Sequence, residues 1–302
     1  MGRNFLMTSL MFLGCCVAVA QDANPEKPLF FSVEEALVSD KKATQLNLRD
    51  QFLFVVPNNL QQLKDLEFLN LMKNNLEGLD NEIYTLKKLE VLVYRQNSVK
   101  YLSKDIKRLS KLKKLDLATN KLSLLPDEMG KLTQLQYLYL SLNTIVALPE
   151  TIGYCKDLLS LELDNNQLSY LPNSISELKK LKVLNLSNNQ FYELEKGWFV
   201  LPELKELKME YNQLCSLPND IHELKKLEAL LLNHNSIEKL PETMVKMKNL
   251  SFLSLANNNL RQLPQNLGEL SKLRTLILTG NPIDNEEKAR ITTELTNCKI
   301  YF

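Results

Sequence analysis

The sequence predicts an α/β solenoid in which one short strand per repeat stacks into a parallel sheet on a concave face, with short 3-10 or irregular segments on the convex face. The first observation is the pattern L-x-x-L-x-L-x-x-N, which appears in LKVLNLSNNQ (residues 181–190) and elsewhere along the chain. The second is its spacing, since the asparagine returns every 23 residues without an insertion or a deletion. One such unit cannot bury its own apolar face, so the repeats have to stack on one another.

The repeated asparagines define the register of the array. Stepping back 23 residues from the first of them reaches Gln51, in a degenerate first copy, and the last copy is truncated. We therefore expect eleven repeats over residues 43–281. The ten asparagines are Asn74, Asn97, Asn120, Asn143, Asn166, Asn189, Asn212, Asn235, Asn258 and Asn281.

These asparagines are expected to be structural. In LNL at residues 184–186, period-2 alternation points the two leucines inward and the residue between them outward. The chain turns after this strand, which leaves backbone donors and acceptors inside the solenoid. Because an asparagine carries two N–H donors and a carbonyl acceptor, it can bond the turns of its own and adjacent repeats. The constant period therefore predicts a ladder of asparagine hydrogen bonds.

Prolines mark the opposite side of the coil. Proline lacks an N–H group and fixes φ, so it suits a convex segment that makes no sheet hydrogen bonds. Three repeats depart from the pattern and carry Asp80, Ser103 and Glu195 at this position. The other repeats have a proline six residues after the ladder position: Pro57, Pro126, Pro149, Pro172, Pro218, Pro241 and Pro264.

The full unit, L-x-x-L-x-L-x-x-N-x-L-x-x-L-P-x-x-I-x-x-L-x-x, resembles the leucine-rich repeat in its typical 23-residue subclass, and the resemblance spans residues 43–302. It implies a right-handed, horseshoe-shaped leucine-rich-repeat solenoid that holds other macromolecules, usually proteins, on its concave sheet. The opening VEEAL and the ending NCKIYF are similar to exported bacterial members of the family.

Caps are predicted at both ends of the array. Ser32 and Glu35 have capping-box spacing, which predicts a short helix within the segment 21–42, a linker followed by an N-terminal cap. Asp284 and Glu287 repeat this spacing in the segment 282–302, which we expect to fold over the last repeat. A solenoid needs such caps because its terminal repeats otherwise leave an apolar edge open.

The first twenty residues are typical of a secretory signal peptide, with an apolar core and a small-residue site, AVA, before Gln21. We predict export after cleavage near Ala20–Gln21, to the periplasm, the outer surface or the medium. The alternatives are a lipoprotein with its anchor at Cys15 or Cys16, from the stretch FLGCC, and a cytoplasmic protein. The leader is too short and too weakly flanked for a transmembrane helix, and none is predicted later in the chain.

Charge argues against a nucleic-acid partner. The chain has 37 basic and 36 acidic residues, and Arg3 is the only charged residue of the leader, so the remainder is neutral. Nucleic-acid binding needs a basic excess on one face. Lysines do recur just before the strands, but acidic residues lie close to them in sequence, so we interpret this row as a solvated edge.

The sequence contains no recognisable catalytic arrangement. The two histidines, His222 and His234, have no serine, cysteine or acid in a partner arrangement, and neither a phosphate-binding loop nor a metal-ligand spacing is present. Cys155, Cys215 and Cys298 show no short-range pairing, and Cys215 is predicted to be the most accessible. We therefore predict a protein that is not an enzyme and needs no cofactor or metal.

Binding is then expected on the concave face. Its outward positions include a group of apolar and aromatic side chains with an arginine, which interface hot spots favour, and an acidic group suited to a basic partner. The opposing interpretation is that the apolar residues only support the strands. The predicted partner-binding residues are Phe68, Met72, Val91, Val93, Arg95, Tyr137, Tyr139, Leu142, Glu162, Asp164, Glu206, Glu210 and Tyr211.

The leading hypothesis is a non-catalytic, exported module that binds another protein on this face. An intracellular scaffold is one alternative, because the Ras-group leucine-rich-repeat proteins are similar in their 23-residue unit. A surface receptor or adhesin for glycans is the other, because tyrosines with neighbouring acids and amides can bind sugars.

Overall fold

The computed structural model describes residues 23–194 and 197–302. The strands in these ranges form one parallel sheet, in which each strand pairs with the strands that precede and follow it in the sequence. The predicted signal peptide, its cysteines and the Glu195 position lie outside the described residues. The strands are β1 (Leu29–Phe30), β2 (Gln45–Asn47), β3 (Phe68–Asn70), β4 (Val91–Val93), β5 (Lys114–Asp116), β6 (Tyr137–Tyr139), β7 (Ser160–Glu162), β8 (Val183–Asn185), β9 (Glu206–Lys208), β10 (Ala229–Leu231), β11 (Phe252–Ser254), β12 (Thr275–Ile277) and β13 (Lys299–Tyr301).

The predicted parallel sheet is confirmed, and its register follows the repeat. Leu92 of β4 pairs with Leu115 of β5, which pairs with Leu138 of β6, a step of 23 residues each time. The sheet has two more strands than the repeats predict. β1 and β13 come from the terminal segments and cover the two outermost repeats, β2 and β12.

The other side of the coil consists of short 3-10 helices, as predicted. Proline precedes most of them, where its missing N–H group is not needed. The 3-10 helices are Asn58–Gln62, Ile83–Thr85, Lys104–Arg108, Asp127–Lys131, Glu150–Tyr154, Asn173–Glu177, Asn219–Glu223, Glu242–Lys246 and Leu267–Glu269. Leucines from both sides fill the space between sheet and helices in one continuous core.

Two of the repeats without a proline use a side chain in its place. In the second repeat the carboxylate of Asp80 accepts a hydrogen bond of 2.7 Å from the N–H of Val56, one repeat earlier. In the third, the hydroxyl of Ser103 accepts from the N–H of Asp105 at 3.2 Å and caps the helix Lys104–Arg108. Both substitutes bond a backbone group of the convex side.

Each asparagine of the ladder bonds two repeats. Asn166 donates from Nδ2 to the carbonyl oxygens of Leu163, in its own repeat, and Leu140, in the preceding one, both at 3.0 Å. Its Oδ1 accepts from the N–H of Ile145 at 2.9 Å, also in the preceding repeat. The same contacts recur at the other asparagines, for example at Asn189. The asparagine side chains therefore pair backbone groups of the turns after the strands.

The residue before each ladder position has a left-handed backbone. From Asp50 (φ 59°) to Asn257 (φ 54°), every one of these residues has positive φ, and glycine takes the position only at Gly280 (φ 78°). Leu142 and Tyr211 occupy it although their side chains disfavour this conformation. The row places one side chain per repeat at the rim of the sheet.

The two terminal helices, α1 (Val33–Val38) and α2 (Asn285–Glu294), begin at capping side chains. Ser32 accepts from the N–H of Glu35 at 3.0 Å, and Asp284 accepts from the N–H of Glu287 at 2.8 Å. Within the described ranges, neither helix nor any of the 3-10 segments has the length and apolarity of a membrane span.

Helix α2 is fastened to the last repeats by a part-buried pair of side chains, Glu287 and Arg290, which both bond the backbone of Leu263. Arg290 donates to both oxygens of Glu287, at 2.7 and 2.8 Å, and to Glu294 at 2.7 Å. Glu287 in turn accepts from the backbone N–H of Leu263 at 2.8 Å, and Arg290 donates to the carbonyl oxygen of the same residue at 3.0 Å. The hydrogen bond from Arg290 is the main cause that lowers the pKa of the Glu287 carboxyl.

Candidate functional site

The face of the sheet turned away from the core, hereafter the open face, carries two side-chain positions per strand. On β6 these are Tyr137 and Tyr139, whose rings stack with centroids 6.5 Å apart and 27° between their planes. The ammonium of Lys114 lies 5.2 Å from the centre of the Tyr139 ring. Both tyrosines are half-buried, so they offer an amphipathic surface of the kind that interfaces use.

Acidic side chains follow on the next strand. Asp164 is held by three donors, the hydroxyl of Ser141 at 2.5 Å and the amides of Asn165 at 2.8 Å and Asn185 at 3.0 Å. Glu162 is half-buried on β7, and its burial raises the pKa of its carboxyl. A cation placed beside Glu162 would therefore stabilise the ionised form of its carboxyl.

The acids of β9 and its following turn are already paired. Glu206 lies 2.7 Å from the ammonium of Lys208 on the same strand. Glu210 accepts from the amide of Asn233 at 2.6 Å, and that amide's oxygen accepts from the hydroxyl of Ser254 at 2.6 Å. These contacts fix the side chains in place, which lowers the entropic cost of using them in binding.

The rim of the open face carries exposed apolar and aromatic groups. Leu142 and Tyr211 are both exposed at the left-handed position of their repeats. The ring of Tyr211 stacks on His234 of the next repeat, with centroids 4.1 Å apart and 10° between the planes. Asn257 continues this row, its amide 3.1 Å from Nε2 of His234.

The prediction that Phe68, Met72 and Val93 are exposed on the open face is wrong, because all three side chains are buried. Only 6, 8 and 3% of their surface is accessible, because Ala23 and Leu29 of the N-terminal segment pack over them. These three residues form a second, small core on the open face and are not part of a free surface.

The predicted apolar patch is therefore not continuous. Val91 packs at the edge of the small core, and Arg95 lies against Met72, with its Nε 3.2 Å from the Met72 sulfur and 3.8 Å from Asp116. Strand β5 separates Val91 from Tyr137 in the sheet register. The remaining candidate surface runs from β6 to the turn after β9 and contains Tyr137, Tyr139, Leu142, Glu162, Asp164, Glu206, Glu210 and Tyr211.

A set of exposed aromatic and apolar residues lies on the flank instead, after the asparagine ladder. Tyr101, Leu124 and Tyr170 occur four residues after their asparagines, and Phe54 and Tyr192 occur three residues after the ladder position. The accessible fraction of Tyr101 is 69%. The phase of these residues is visible in the sequence, so counting along the 23-residue repeat reveals this row as well.

Three of the lysines that precede the strands pair with acids of the preceding repeat. Lys180 lies 2.6 Å from Asp157 and Lys226 lies 2.6 Å from Glu203, each acid one repeat earlier. Lys88 makes the same pairing with Asp65. Acids and bases thus alternate within one row, which does not form the basic stripe of a nucleic-acid-binding surface.

The cysteines offer little chemistry. Cys155 is buried, and burial raises the pKa of its thiol to about 12. Burial also raises the pKa of the Cys298 thiol to about 11. In the ranges 23–194 and 197–302, no three His, Cys, Asp or Glu side chains come together in a way that could hold a metal ion.

Two family profiles described as leucine-rich repeats match the chain, one at residues 180–237 and 227–283 and the other at residues 111–132. No curated protein matches it significantly.

Several solved structures are similar. The plant peptide hormone receptor RGFR1, in complex with RGF2, has 26% sequence identity and a TM-score of 0.70 over 85% of this chain and 42% of that chain. The ectodomain of the receptor kinase GASSHO1/SCHENGEN3 from Arabidopsis thaliana has 26% identity and a TM-score of 0.57 over 89% and 39%. InlJ from Listeria monocytogenes has 22% identity and a TM-score of 0.70 over 85% and 52%. This chain thus spans about half the length of these proteins or less.

The repeated 23-residue unit, the single parallel sheet with its 3-10 segments and the matching profiles agree with one another. Solved structures of the same architecture include receptors that hold peptides, and the family consists of interaction modules rather than enzymes. These findings identify the chain as a leucine-rich-repeat protein.

Proposed function

We propose that this chain is an exported module that binds another protein on the open face of its sheet, between β6 and β10. The observation that carries the proposal is the combination of the stacked Tyr137 and Tyr139 with the acids of the next strands. Aromatic side chains supply much of the energy of protein interfaces, and fixed acids select a partner of opposite charge. The similarity to a receptor in complex with a peptide hormone supports a polypeptide partner.

The partner's contacting segment is expected to be basic. Asp164 is fixed by Ser141, Asn165 and Asn185, and Glu210 is fixed by Asn233, so a lysine or arginine of the partner would find preorganised carboxylates. Such charges act mainly on the association rate and on its dependence on salt. Increasing the ionic strength should therefore slow association more than it speeds dissociation.

The test is capture by the intact chain as bait, with variants on two surfaces. Tyr139→Ala should reduce capture of the partner at least tenfold, since hot-spot residues contribute about 2 kcal/mol or more. Tyr101→Ala, on the exposed flank, is the matched control and should leave capture unchanged. If the Tyr101 variant lost capture and the Tyr139 variant kept it, the flank and not the open face would be the binding surface.

The class of partner is tested in parallel. A glycan array probed with the intact chain distinguishes the adhesin alternative from a protein partner. Binding to glycans that Tyr139→Ala abolishes, without any captured protein, would favour the adhesin.

Export is tested on the natural protein. Its intact mass and N-terminal sequence would show a start near Gln21 if the leader is cleaved, and a lipid mass if Cys15 or Cys16 is modified. An uncleaved Met1 in the cytosolic fraction would favour the intracellular scaffold.

A further inference from the structure

The N-terminal strap, residues 23–28, lies across the open face at the first repeats. Ala23 and the adjoining Leu29 pack against Phe68, Met72 and Val93. The strap has no helix or strand of its own and leads directly into β1. It thus covers apolar side chains that point away from the main core.

A buried glutamine holds the strap through its backbone. Gln45 on β2 is 2% exposed, and its Nε2 donates to the carbonyl oxygens of Asn24 at 2.9 Å and Lys27 at 3.0 Å. Its Oε1 accepts from the N–H of Asn24. These three hydrogen bonds all join the Gln45 side chain to the main chain of the strap, and any extended peptide could offer the same main-chain groups in its place.

The position of Gln45 in the sheet explains how it reaches the strap. It lies in the same row as Phe68 of β3 and Val91 of β4, which line the apolar floor beside it. A buried carboxamide next to an apolar floor resembles the sites that bind extended peptides, where main-chain bonds give affinity and pockets select side chains.

The strap also makes an ion pair between Lys27 and Glu67. The accessible fractions of the two side chains are 40 and 36%, so this pair is screened by solvent and adds little to the binding of the strap. It does select charge, because a basic residue at this point of a peptide is favoured over an acidic one. The strap is therefore held mainly by Gln45 and by its apolar contacts, while the ion pair contributes charge selectivity.

We propose that Gln45, Glu67 and the small core of Phe68, Met72 and Val93 form a binding site for an extended, basic peptide segment, and that the strap occupies this site in cis. Displacement of the strap opens the site to a partner segment with a small apolar residue, a free main chain for Gln45 and a lysine or arginine for Glu67. This inference rests on the proposed function of the open face and names a second contact region for the partner.

The experiment uses the full chain and a dye-labelled synthetic peptide, ANPEKPLF, which has the sequence of residues 23–30. The release variant, Ala23→Asp with Lys27→Glu, places charge over the apolar floor and turns the ion pair into a repulsion while leaving the site intact. We expect hydrogen exchange of residues 24–27 to increase at least tenfold in this variant, and the peptide to bind it at least tenfold more tightly than the unaltered chain.

Two further changes locate the bound peptide. Adding Gln45→Leu to the release variant should weaken peptide binding at least tenfold. Adding Glu67→Gln, a surface change that leaves folding intact, should weaken it severalfold at low salt and have no effect at high salt. Equal peptide binding by the unaltered and release chains, absence of binding by the release variant, or unchanged hydrogen exchange would each overturn the inference.

The outcome is separable from that of the proposed function. The peptide assay needs no natural partner, and none of its changes lies between β6 and β10. If Tyr139→Ala abolished capture while the release variant bound no peptide, the strap site would be refuted and the proposed function would stand. If Tyr139→Ala left capture unchanged while the release variant bound the peptide, the proposed surface between β6 and β10 would be refuted and the strap site would stand.

Discussion

Replacement of Asn166 by leucine tests the asparagine ladder at its centre. The side chains are of similar size, so the change removes hydrogen bonds more than it alters packing. Asn166 bonds the carbonyl oxygens of Leu140 and Leu163, both at 3.0 Å, and the N–H of Ile145 at 2.9 Å.

The expected loss in the free energy of unfolding depends on which hydrogen-bond partners these backbone groups retain without Asn166. The oxygen of Leu140 also accepts from Asn143 at 2.9 Å, and that of Leu163 from Asn189 at 3.0 Å, so both retain one partner. The buried N–H of Ile145 loses the acceptor that it has in the structure. An unpaired buried donor costs about 1–3 kcal/mol and each lost carbonyl bond about 0.5–1.5 kcal/mol, which gives roughly 2–6 kcal/mol in total.

Thermal unfolding measures this cost. A chain of this length loses on the order of 2 °C per kcal/mol, so Asn166→Leu should lower Tm by about 4 °C or more. The matched control is Asn165→Leu. Asn165 has φ 57°, its side chain donates to its neighbour Asp164, and Leu142 already occupies the equivalent position with φ 56°. The control should cost less than about 1 kcal/mol.

Equal melting shifts for the two variants would refute the reasoning. They would mean that the turn backbone finds other partners when the asparagine is absent, so that the ladder would not contribute to stability.

Two predictions concern packing and the C-terminal cap. Gly153→Ala should lower the free energy of unfolding by about 1–3 kcal/mol, because the added Cβ would lie 2.6 Å from a backbone oxygen of the next repeat. The matched control is Gly78→Ala, whose added Cβ meets nothing within 4 Å. Equal urea unfolding midpoints for the two variants would contradict this prediction. Glu287→Gln should lower stability at pH 7 by about 1–3 kcal/mol, since Arg290 loses a charged partner. Because the folded pKa of Glu287 lies below its ordinary 4.5, its contribution is present above pH 4.5 and is lost as pH falls through the folded pKa. The Gln variant should therefore lose less stability on acidification than the unaltered chain, and parallel stability curves would argue against this role.

The repeat period was sufficient to predict the sheet but not what covers it. Strand register follows from the period because each leucine must meet its counterpart 23 residues away. The burial of Phe68 depends on Ala23 and Leu29, which lie outside the period. The left-handed row was also missed, because residues as different as Leu142 and Asn165 occupy it and no residue type marks it.

The candidate surface was predictable in part. Outward positions follow from alternation, so Tyr137 and Glu162 were found correctly as side chains of the open face. Their pairing was not, because the contact between Glu210 and Asn233 depends on side-chain conformation rather than on spacing. Similarly, a glutamine at position 45 reads as an ordinary polar residue until its backbone partners are known.

The asparagine ladder gives the array a polarity. Two of the bonds of each asparagine serve the preceding repeat, so every repeat depends for its turn on the one that follows it. Loss of repeats from the carboxyl end would strip an acceptor from the repeat left behind, whereas loss from the amino end would free only a side-chain amide that water can solvate. The chain is thus more vulnerable to unravelling at its carboxyl end, where Arg290 fastens the last helix. Limited proteolysis or mechanical unfolding should therefore remove repeats from the carboxyl end more readily than from the amino end.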